Sequence, residues 1–247
     1  MNNVRDPSGI IPGMGPSHHA NVFPAFPDPR EADPDGLLAV GGDLTVPRLL
    51  AAYAQGIFPW YSEATPILWW SPPERAILLT GDEHLSRSTL RALRRRPFEL
   101  RVDTSFEAVV AHCAAVDRPG QDGTWITRAI RRGYLALHQE GFAHSFEAWR
   151  DGRLAGGLYG VSLGAAFFGE SMFSLEDYAS RAAFAGLCRL AWGWGFHLID
   201  GQVPNENLED LGARTVSRED FLQRLALALA VPTRRGLWKA EEGLIGG

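Results

Sequence analysis

Apolar side chains recur at helical spacing in some stretches of the chain, and in others they alternate with polar ones or form short apolar runs. The helical spacing predicts helices over about 46–55, 86–96, 105–115, 127–141, 179–194 and 217–230. The alternating and short apolar runs predict strands over about 98–103, 143–150, 153–162, 165–170 and 196–200.

Polar residues and glycines at the ends of these stretches support the predicted bounds. Ser217 with Asp220 three residues later forms a capping box, and Gly56 and Gly141 are typical helix terminators. Asp151-Gly152 is a strong signal for a hairpin turn between two strands. The candidate helix N-caps are Thr45, Ser86, Thr104 or Ser105, Thr127 and Ser217.

From residue 98 the predicted order of elements is β-α-α-β-β-β-α-β-α. Consecutive hairpins inside an α/β frame predict a mixed sheet with helices on both faces, which is an α/β (α+β) fold. The order resembles the GNAT acyltransferase fold. A fold resemblance of this kind carries no function by itself.

The first 75 residues differ in composition from the rest. Seven of the sixteen prolines precede residue 35, which predicts an extended arm, and residues 56–76 read GIFPWYSEATPILWWSPPERA, which we interpret as an aromatic loop. We therefore predict a small N-terminal domain over 1–75 and a GNAT-like domain over 76–247.

Composition limits the classes of protein that fit. The 247 residues are 45% hydrophobic with a formal net charge of −5, and they contain no stretch apolar enough to span a bilayer and no apolar signal segment, so we expect a cytoplasmic protein. Cys113 and Cys188 lie in predicted helices and are interpreted as buried free thiols. The pair His18-His19 has no spaced partners, so we expect no metal site.

Positive charge is concentrated in one predicted helix. Of the 24 basic residues, 23 are arginine, and the stretch 86–96 has five arginines and no acid, with Leu85, Leu90 and Leu93 on one side. Arginine binds phosphate in a bidentate way, so this helix is a candidate RNA-binding surface. The alternative is an ordinary solvated helix face.

Three polar residues stand out next to apolar strands. Glu170 ends the predicted strand 165–170. Desolvation beside so much apolar surface raises the pKa of a carboxyl group, so a cationic ligand is a natural partner. The alternative is that Glu170 is simply half-exposed at the end of the strand. Asp200 and Gln202 are two residues apart in an extended segment and point to the same side, with Gly201 allowing close approach. Such a pair can orient an amine and relay a proton. The alternative is a carboxylate that caps the next segment.

Aromatic residues raise the same choice between core and site. Trp125, Phe167, Phe168 and Met172 could be plain core, whereas loop tryptophans such as Trp60 usually cover a base or an apolar group. The chain has no P-loop, dinucleotide fingerprint or nucleophile elbow. The segment ESMFSLEDYASRAA has no glycine where a CoA enzyme of this fold needs a pyrophosphate loop, so we expect no CoA and no other cofactor.

Several blocks together resemble the signature blocks of the leucyl/phenylalanyl-tRNA–protein transferase family. They are GLLAVGGDL (36–44), GIFPWYS (56–62), PILWWSP (66–72), GTWITR (123–128), GESMFS (169–174) and LIDGQV (198–203). The resemblance spans roughly residues 23–238. It implies a small N-terminal domain followed by a GNAT-like domain, in agreement with the element order above.

The resemblance also implies an activity. Members transfer Leu or Phe, with Met as a further candidate, from aminoacyl-tRNA to the α-amino group of proteins that begin with Arg or Lys, which marks those proteins for N-degron degradation. Because an aminoacyl ester is already activated, positioning and proton transfer suffice without a covalent nucleophile. The implied partners are Leu-tRNA, Phe-tRNA and the acceptor protein, and we expect a monomer that contacts no membrane.

Site residues are implied in the same way. Residues matching Asp200 and Gln202 handle the attacking amine and its proton, and the residue matching Glu170 lies in the same site. The helix that matches the family's tRNA-binding helix carries Arg87, Arg91, Arg94 and Arg95. The implied aminoacyl pocket is lined by Trp60, Trp125, Phe167, Met172 and Ile199, with Leu158 and Leu187 where other members can carry Met or Phe.

Two other functions remain open at this point. One is a GNAT-type N-acyltransferase with another acyl donor, and the other is a non-catalytic protein that binds RNA or sugar through its tryptophans.

Overall fold

The computed structural model describes residues 25–116 and 124–239. Residues 1–24 of the predicted proline-rich arm, with His18-His19, lie outside this part, as does Gly123 of the GTWITR block. In the described end of the arm, Pro29–Glu31 form one turn of 3-10 helix where the sequence predicts an extended chain. The described strands are β1 Leu37–Val40, β2 Phe58–Pro59, β3 Leu68–Trp70, β4 Glu74–Leu78, β5 Glu99–Val102, β6 Ala143–Arg150, β7 Arg153–Leu163, β8 Ala166–Ser174, β9 Leu198–Gln202 and β10 Arg214–Ser217. The described α-helices are α1 Val46–Ala54, α2 Arg87–Arg95, α3 Phe106–Ala114, α4 Arg128–Gln139, α5 Ala179–Gly193, α6 Glu206–Asp210 and α7 Arg218–Leu229.

Seven strands form one mixed sheet in the order β10-β4-β9-β8-β7-β6-β5. Neighbouring strands are antiparallel except for β8 and β9, which pair in parallel over Ala166–Phe168 and Leu198–Asp200. Beyond that point β8 continues to Ser174 without β9. The mixed α/β fold and the GNAT-like element order expected from the sequence are confirmed.

Two apolar clusters cover the two faces of this sheet because neighbouring strand residues point to opposite sides. Phe168 lies in a cluster with buried side chains of α1, α3, α4 and α7, whereas Phe167 lies in a cluster with those of α5. Helices therefore pack on both faces, as predicted. Cys113 and Cys188 are buried, one in each cluster, and neither forms a disulfide, as expected.

The N-terminal segment is more regular than its sequence pattern suggests. The aromatic stretch predicted as a loop contains β2 and β3, which form a small antiparallel sheet with β1 in the order β1-β3-β2. These strands are only two to four residues long, too short for a recognisable alternation. Phe58 and Trp69 join the same cluster as Phe168. The domain division near residue 75 stays a prediction.

Every predicted helix and strand is present, with two shifted bounds. The strand predicted over 165–170 continues to Ser174, and the strand predicted over 196–200 is β9, two residues later. The sequence pattern does not predict β4, α6 and β10. All three are short, and β4 and β10 depend on pairing with each other and with β9, which lie far apart in sequence.

Three of the predicted N-caps are confirmed. Ser86, Thr127 and Ser217 accept hydrogen bonds from Thr89, Ile130 and Asp220. Thr45 precedes α1 without capping it, and its hydroxyl donates to Asp43 instead.

The remaining N-cap and the hairpin turn also depend on local geometry. Ser105 precedes α3 without a side-chain cap, and the N–H groups of Thr104 and Ser105 both donate to the carboxylate of Glu147. Asp151 and Gly152 both have positive φ, 51° and 72°, as the predicted tight hairpin turn requires.

Candidate active site

A β-bulge presents Glu170. Tyr159 of β7 pairs with Ser171 and Gly160 pairs with Gly169, so Glu170 is the extra residue of β8. Such a bulge re-aims a side chain without ending the strand. The prediction that Glu170 ends the strand is therefore wrong: it lies inside β8.

Three donors hold the Glu170 carboxylate. The hydroxyl of Tyr53 and the amide Nε2 of Gln202 donate to Oε1 at 2.7 and 2.8 Å, and the hydroxyl of Tyr134 donates to Oε2 at 2.8 Å. The two tyrosine hydroxyls also contact each other. Helices α1 and α4 bring the tyrosines to the sheet, where both are fully buried.

Burial controls the charge state of this group. Desolvation raises the pKa of Glu170 to about 7, and the buried charge of Asp200 adds to the rise, whereas the hydrogen bonds from Tyr53, Tyr134 and Gln202 oppose it. The desolvation expected from the sequence is therefore present. The carboxyl group can be ionised or neutral near pH 7, which makes it responsive to a cationic ligand.

The second acidic group has a permanent partner. The guanidinium of Arg75 donates to both carboxylate oxygens of Asp200, from Nε at 2.9 Å and from Nη2 at 2.7 Å. Both side chains are buried, at 1% and 0% exposure. Since Asp200 reaches no solvent, it does not meet an incoming amine directly in this arrangement. Its contact with the backbone N–H of Gln202 instead suits it to orient that residue.

Gln202 has an unusual backbone conformation. Its φ is 65°, in the left-handed region that non-glycine residues rarely adopt, and its N–H donates to Oδ1 of Asp200 at 2.8 Å. This turn directs the side-chain amide to Glu170. The segment is not extended at Gln202, as the prediction assumed, and the left-handed turn rather than strand alternation aims this side chain. With Nε2 committed to Glu170, the carbonyl oxygen of Gln202 is the atom that can accept an N–H from a ligand.

The location of these groups follows from the sheet. Phe168 is the last residue of β8 that pairs with β9, opposite Asp200, and the site residues follow at Glu170 and Gln202. Ligands in open α/β sheets gather at the carboxyl ends of strands where neighbouring strands part. The arrangement offers the Glu170 carboxylate and the side-chain carbonyl of Gln202 to a polar, cationic ligand, while the two buried tyrosine hydroxyls hold that carboxylate.

The predicted apolar pocket is only partly assembled. One cluster on the α5 side of the sheet contains Leu158, Phe167, Leu187 and Ile199, all at most 3% exposed, with Met172 packed against it. Gly160 stands beside Phe167 with no room for a side chain, since an added Cβ would lie 2.6 Å from that ring.

The two tryptophans of the predicted pocket lie elsewhere. Trp125 packs against the opposite cluster, and Trp60 is 39% exposed in the small sheet, where its ring meets that of Trp70 at 5.9 Å. The structure therefore does not bring Trp60 or Trp125 into the cluster formed by the other five. Local sequence could not show this separation, because the seven predicted pocket residues are divided between different parts of the fold.

Helix α2 displays the predicted arginines. Arg87, Arg91, Arg94 and Arg95 are exposed and line a hollow of about 380 Å³. Leu85 and Leu93 pack against the α5-side cluster, but Leu90 is 39% exposed and lines the hollow with the arginines, so its predicted place on the packed side is wrong. A nine-residue helix shows only a narrow stripe to the sheet, and Leu90 falls outside it.

Sequence reasoning missed Arg75, Tyr53 and Tyr134. The tyrosines sit in apolar helix faces, and a buried tyrosine hydroxyl usually needs a hydrogen-bond partner, which is a usable signal. Arg75 begins an apolar run after two prolines, and its partner Asp200 is 125 residues away. Only the pairing of β4 with β9 brings these two residues together.

The structure also bears on metals and membranes. Within residues 25–116 and 124–239, no group of three or more His, Cys, Asp or Glu side chains is placed to hold a metal ion. In the same residues, no helix has both the length and the apolar character needed to cross a membrane.

Comparison with known proteins identifies a consistent set of relatives. The family profile described as leucyl/phenylalanyl-tRNA protein transferase matches residues 77–226, and that of its N-terminal domain matches residues 42–73. The leucyl/phenylalanyl-tRNA–protein transferase of Myxococcus xanthus (strain DK1622) is 55% identical over 213 residues, which cover 86% of this chain and 91% of that protein. Its counterpart in Anaeromyxobacter dehalogenans (strain 2CP-C) is 56% identical over 218 residues, covering 88% and 94%.

Likeness to solved structures is weak. A functionally unknown conserved protein from Staphylococcus epidermidis ATCC 12228 aligns with 58% of this chain and 57% of its own at 11% identity and a TM-score of 0.39. L-PGS from Bacillus licheniformis aligns with 64% of this chain and 50% of its own at 12% identity and a TM-score of 0.38. Neither value supports an argument about this chain.

Proposed function

The chain belongs to the leucyl/phenylalanyl-tRNA protein transferase family, and on that premise we propose that it transfers Leu or Phe from aminoacyl-tRNA to the α-amino group of proteins that begin with Arg or Lys. The observation that carries this proposal is the Glu170 carboxylate, held next to Gln202 where β8 and β9 part. Because the family consists of transferases, a non-catalytic binding function is set aside, and so is another acyl donor.

The acceptor suits the charge of the site. A peptide that begins with Arg or Lys brings a side-chain cation and an α-amino group whose pKa is about 7.7–8.0, so a neutral amine is available near pH 8. Glu170 is partly buried with only neutral donors around it, and a cation beside it favours the ionised form. We assign Glu170 to binding the cationic end of the acceptor.

The chemistry needs orientation and one proton transfer. The amine nitrogen attacks the ester carbonyl carbon, a tetrahedral intermediate forms, and its collapse breaks the bond to the ribose oxygen of the tRNA. The carbonyl of Gln202 can accept an N–H of the amine and orient its lone pair, but an amide is too weak a base to remove the proton. The proton therefore passes to the leaving ribose oxygen, directly or through water.

The remaining groups have binding roles in this proposal. The apolar cluster around Phe167, Ile199, Met172, Leu158 and Leu187 receives the Leu or Phe side chain after it opens, whereas Trp60 and Trp125 lie apart from this cluster and have no part in it. Apolar pockets discriminate one methylene by only about 1–3 kcal/mol, so the choice between Leu and Phe depends on the size of this pocket. The arginines of α2 hold tRNA phosphates.

We also propose the setting of the reaction. It takes place in the cytoplasm, where aminoacyl-tRNA is made, and the enzyme acts as a monomer. The product carries a new N-terminal Leu or Phe, which marks it for N-degron proteolysis.

The direct test uses [¹⁴C]Leu-tRNA and matched peptides that differ only in the first residue. Transfer to Arg- and Lys-starting peptides is expected, with none to a Glu-starting peptide. Glu170→Gln should raise the KM for the peptide at least tenfold and leave the KM for Leu-tRNA within about twofold. Equal transfer to the Glu-starting peptide would contradict the proposed acceptor.

A further inference from the structure

Arg75 is a buried charge without a part in the chemistry described above. The residue is 1% exposed, and each of its three guanidinium nitrogens donates a hydrogen bond. Its guanidinium carbon lies 4.3 Å from the ring centre of Phe221 and 4.9 Å from that of Phe58. Hydrogen bonds therefore fix the guanidinium within its own plane, and the two aromatic rings pack against it.

One side of Arg75 fixes Gln202. Oδ1 of Asp200 accepts from Nε of Arg75 and also from the backbone N–H of Gln202. Gln202 adopts its left-handed φ of 65° at this point, a conformation that surrounding contacts must support. If the carboxylate rotated, the N–H of Gln202 would lose its acceptor and the side chain would lose its direction toward Glu170.

The other side of Arg75 fixes the helix that carries Tyr53. Nη1 donates to the carbonyl of Gly56 at 2.9 Å, and the N–H of Gly56 donates to the carbonyl of Tyr53. Gly56 has φ 72°, and a Cβ there would lie 2.7 Å from the ring of Phe221, so the end of α1 has little freedom to move. Arg75 therefore connects the two elements whose side chains, Tyr53 and Gln202, donate to the same oxygen of Glu170.

Stability alone does not account for this ion pair. A buried ion pair typically contributes no more to stability than apolar residues of equal volume. The planar guanidinium supplies what an apolar side chain or lysine cannot, namely three donors at fixed angles toward Asp200 and Gly56.

We propose that Arg75 is a positioning residue of the transfer reaction. Through Asp200 and Gly56, it holds Gln202 and Tyr53 where both can donate to Glu170. The inference rests on the proposed function. If residue 75 can no longer donate to both oxygens of Asp200 and to Gly56, the rate of the chemical step should fall while the substrates still bind.

The test compares Arg75→Lys with Arg218→Lys. Lysine keeps the positive charge beside Asp200 but lacks the planar guanidinium with its three donors. Arg218 also donates to buried carbonyls, those of Ser71 and Pro72, but has no hydrogen bond to Asp200, Gln202 or Glu170, so its variant controls for the loss of any such arginine. Single-turnover transfer with enzyme in excess gives a rate constant that belongs to the folded molecules, whatever fraction is folded.

We expect Arg75→Lys to lower this rate constant about 10²-fold, since misplacement by about 1 Å at a reacting group has that effect, with unchanged affinity for Leu-tRNA. Arg218→Lys should keep the wild-type rate constant. A merely structural Arg75 would reduce the folded fraction and the thermal midpoint but leave the rate constant at the wild-type value, which would overturn the inference.

A second measurement does not depend on activity. When Gln202 turns away, Glu170 loses a donor to its ionised form, so the pKa of Glu170 in Arg75→Lys should lie above the wild-type value in carboxyl ¹³C NMR titrations. If wild-type protein transfers no Leu, the proposed function fails, while this titration still decides the inference. An unchanged titration in Arg75→Lys would overturn it.

Discussion

At the scale of single residues, the site depends on the different hydrogen-bond partners of three polar side chains, Asp200, Glu170 and Gln202. The Arg75 guanidinium donates to both carboxylate oxygens of Asp200, whereas Glu170 has only neutral donors. The amide of Gln202 joins the two carboxylates, through its backbone to Asp200 and its side chain to Glu170. One carboxylate is therefore structural support and the other is free to respond to a ligand.

The raised pKa of Glu170 predicts a pH-dependent stability difference. Folding raises this pKa from an ordinary 4.5 to about 7, so the folded state holds the proton more tightly and stability falls as pH rises from about 4.5 to about 7. Relative to Glu170→Gln, the wild type should lose about 2–3 kcal/mol of unfolding free energy between pH 4.5 and pH 8. Urea melts of both proteins across this range measure the difference. The exposed Glu206→Gln serves as the control, and a constant difference for Glu170→Gln would contradict the prediction.

Gln202 and Asp200 should affect the rate rather than binding. Removal of a group that orients or relays protons typically lowers a rate by about 10²–10⁴, so Gln202→Ala and Asp200→Asn should each lower single-turnover transfer within that range. Filter binding should show unchanged tRNA affinity. Circular dichroism must confirm the fold of Asp200→Asn, because one partner of a buried ion pair is changed. If folded Asp200→Asn enzyme had the wild-type rate constant at saturating peptide, that carboxylate would have no role in the reaction.

At the scale of elements, one bulge and one short parallel pairing create the site. The bulge in β8 makes room for Glu170 inside a strand, and β9 leaves β8 after Asp200, which opens the space beside Gln202. Helices α1 and α4 then close the site from one face with their tyrosines. Helix α2 lies at the edge of the opposite cluster and carries the exposed arginines.

The arginines of α2 predict salt-dependent binding of tRNA. The double variant Arg87→Ala/Arg91→Ala should weaken binding of Leu- and Phe-tRNA alike and flatten its salt dependence, by about 0.9 in log–log slope for each duplex-like phosphate that is no longer neutralised. Binding titrations between low and moderate salt give the slope. Arg224→Ala on α7 is the control for removal of a surface arginine, and an unchanged slope in the double variant would mean that α2 is a solvated face.

At the scale of the whole molecule, the small sheet and the large sheet share a core. Phe58 and Trp69 of the small sheet lie in one apolar cluster with Tyr159 and Phe221, and Arg75 ties the end of α1 to β9. The two parts defined by their strands are thus joined at the site itself.

This shared core predicts a single cooperative unfolding unit. Amides of β3 and β7 should show the same free energy of opening in hydrogen exchange, since neither sheet can open without exposing the common cluster. Exchange measured against increasing denaturant tests this. Earlier opening of β3 would instead support an N-terminal domain that is independent up to about residue 75.

Sequence pattern by itself determined the order of the main helices and strands, the mixed sheet, the basic face of α2 and the candidates Glu170, Asp200 and Gln202. These features are local, since periodicity, caps and short motifs act within a few residues. The tertiary structure alone decided which residues surround those candidates. The Arg75–Asp200 pair spans 125 residues, Tyr53 and Tyr134 reach Glu170 from two separate helices, and a single bulge reverses which residues of β8 share a face. Such contacts depend on strand register and helix packing, which no local pattern encodes.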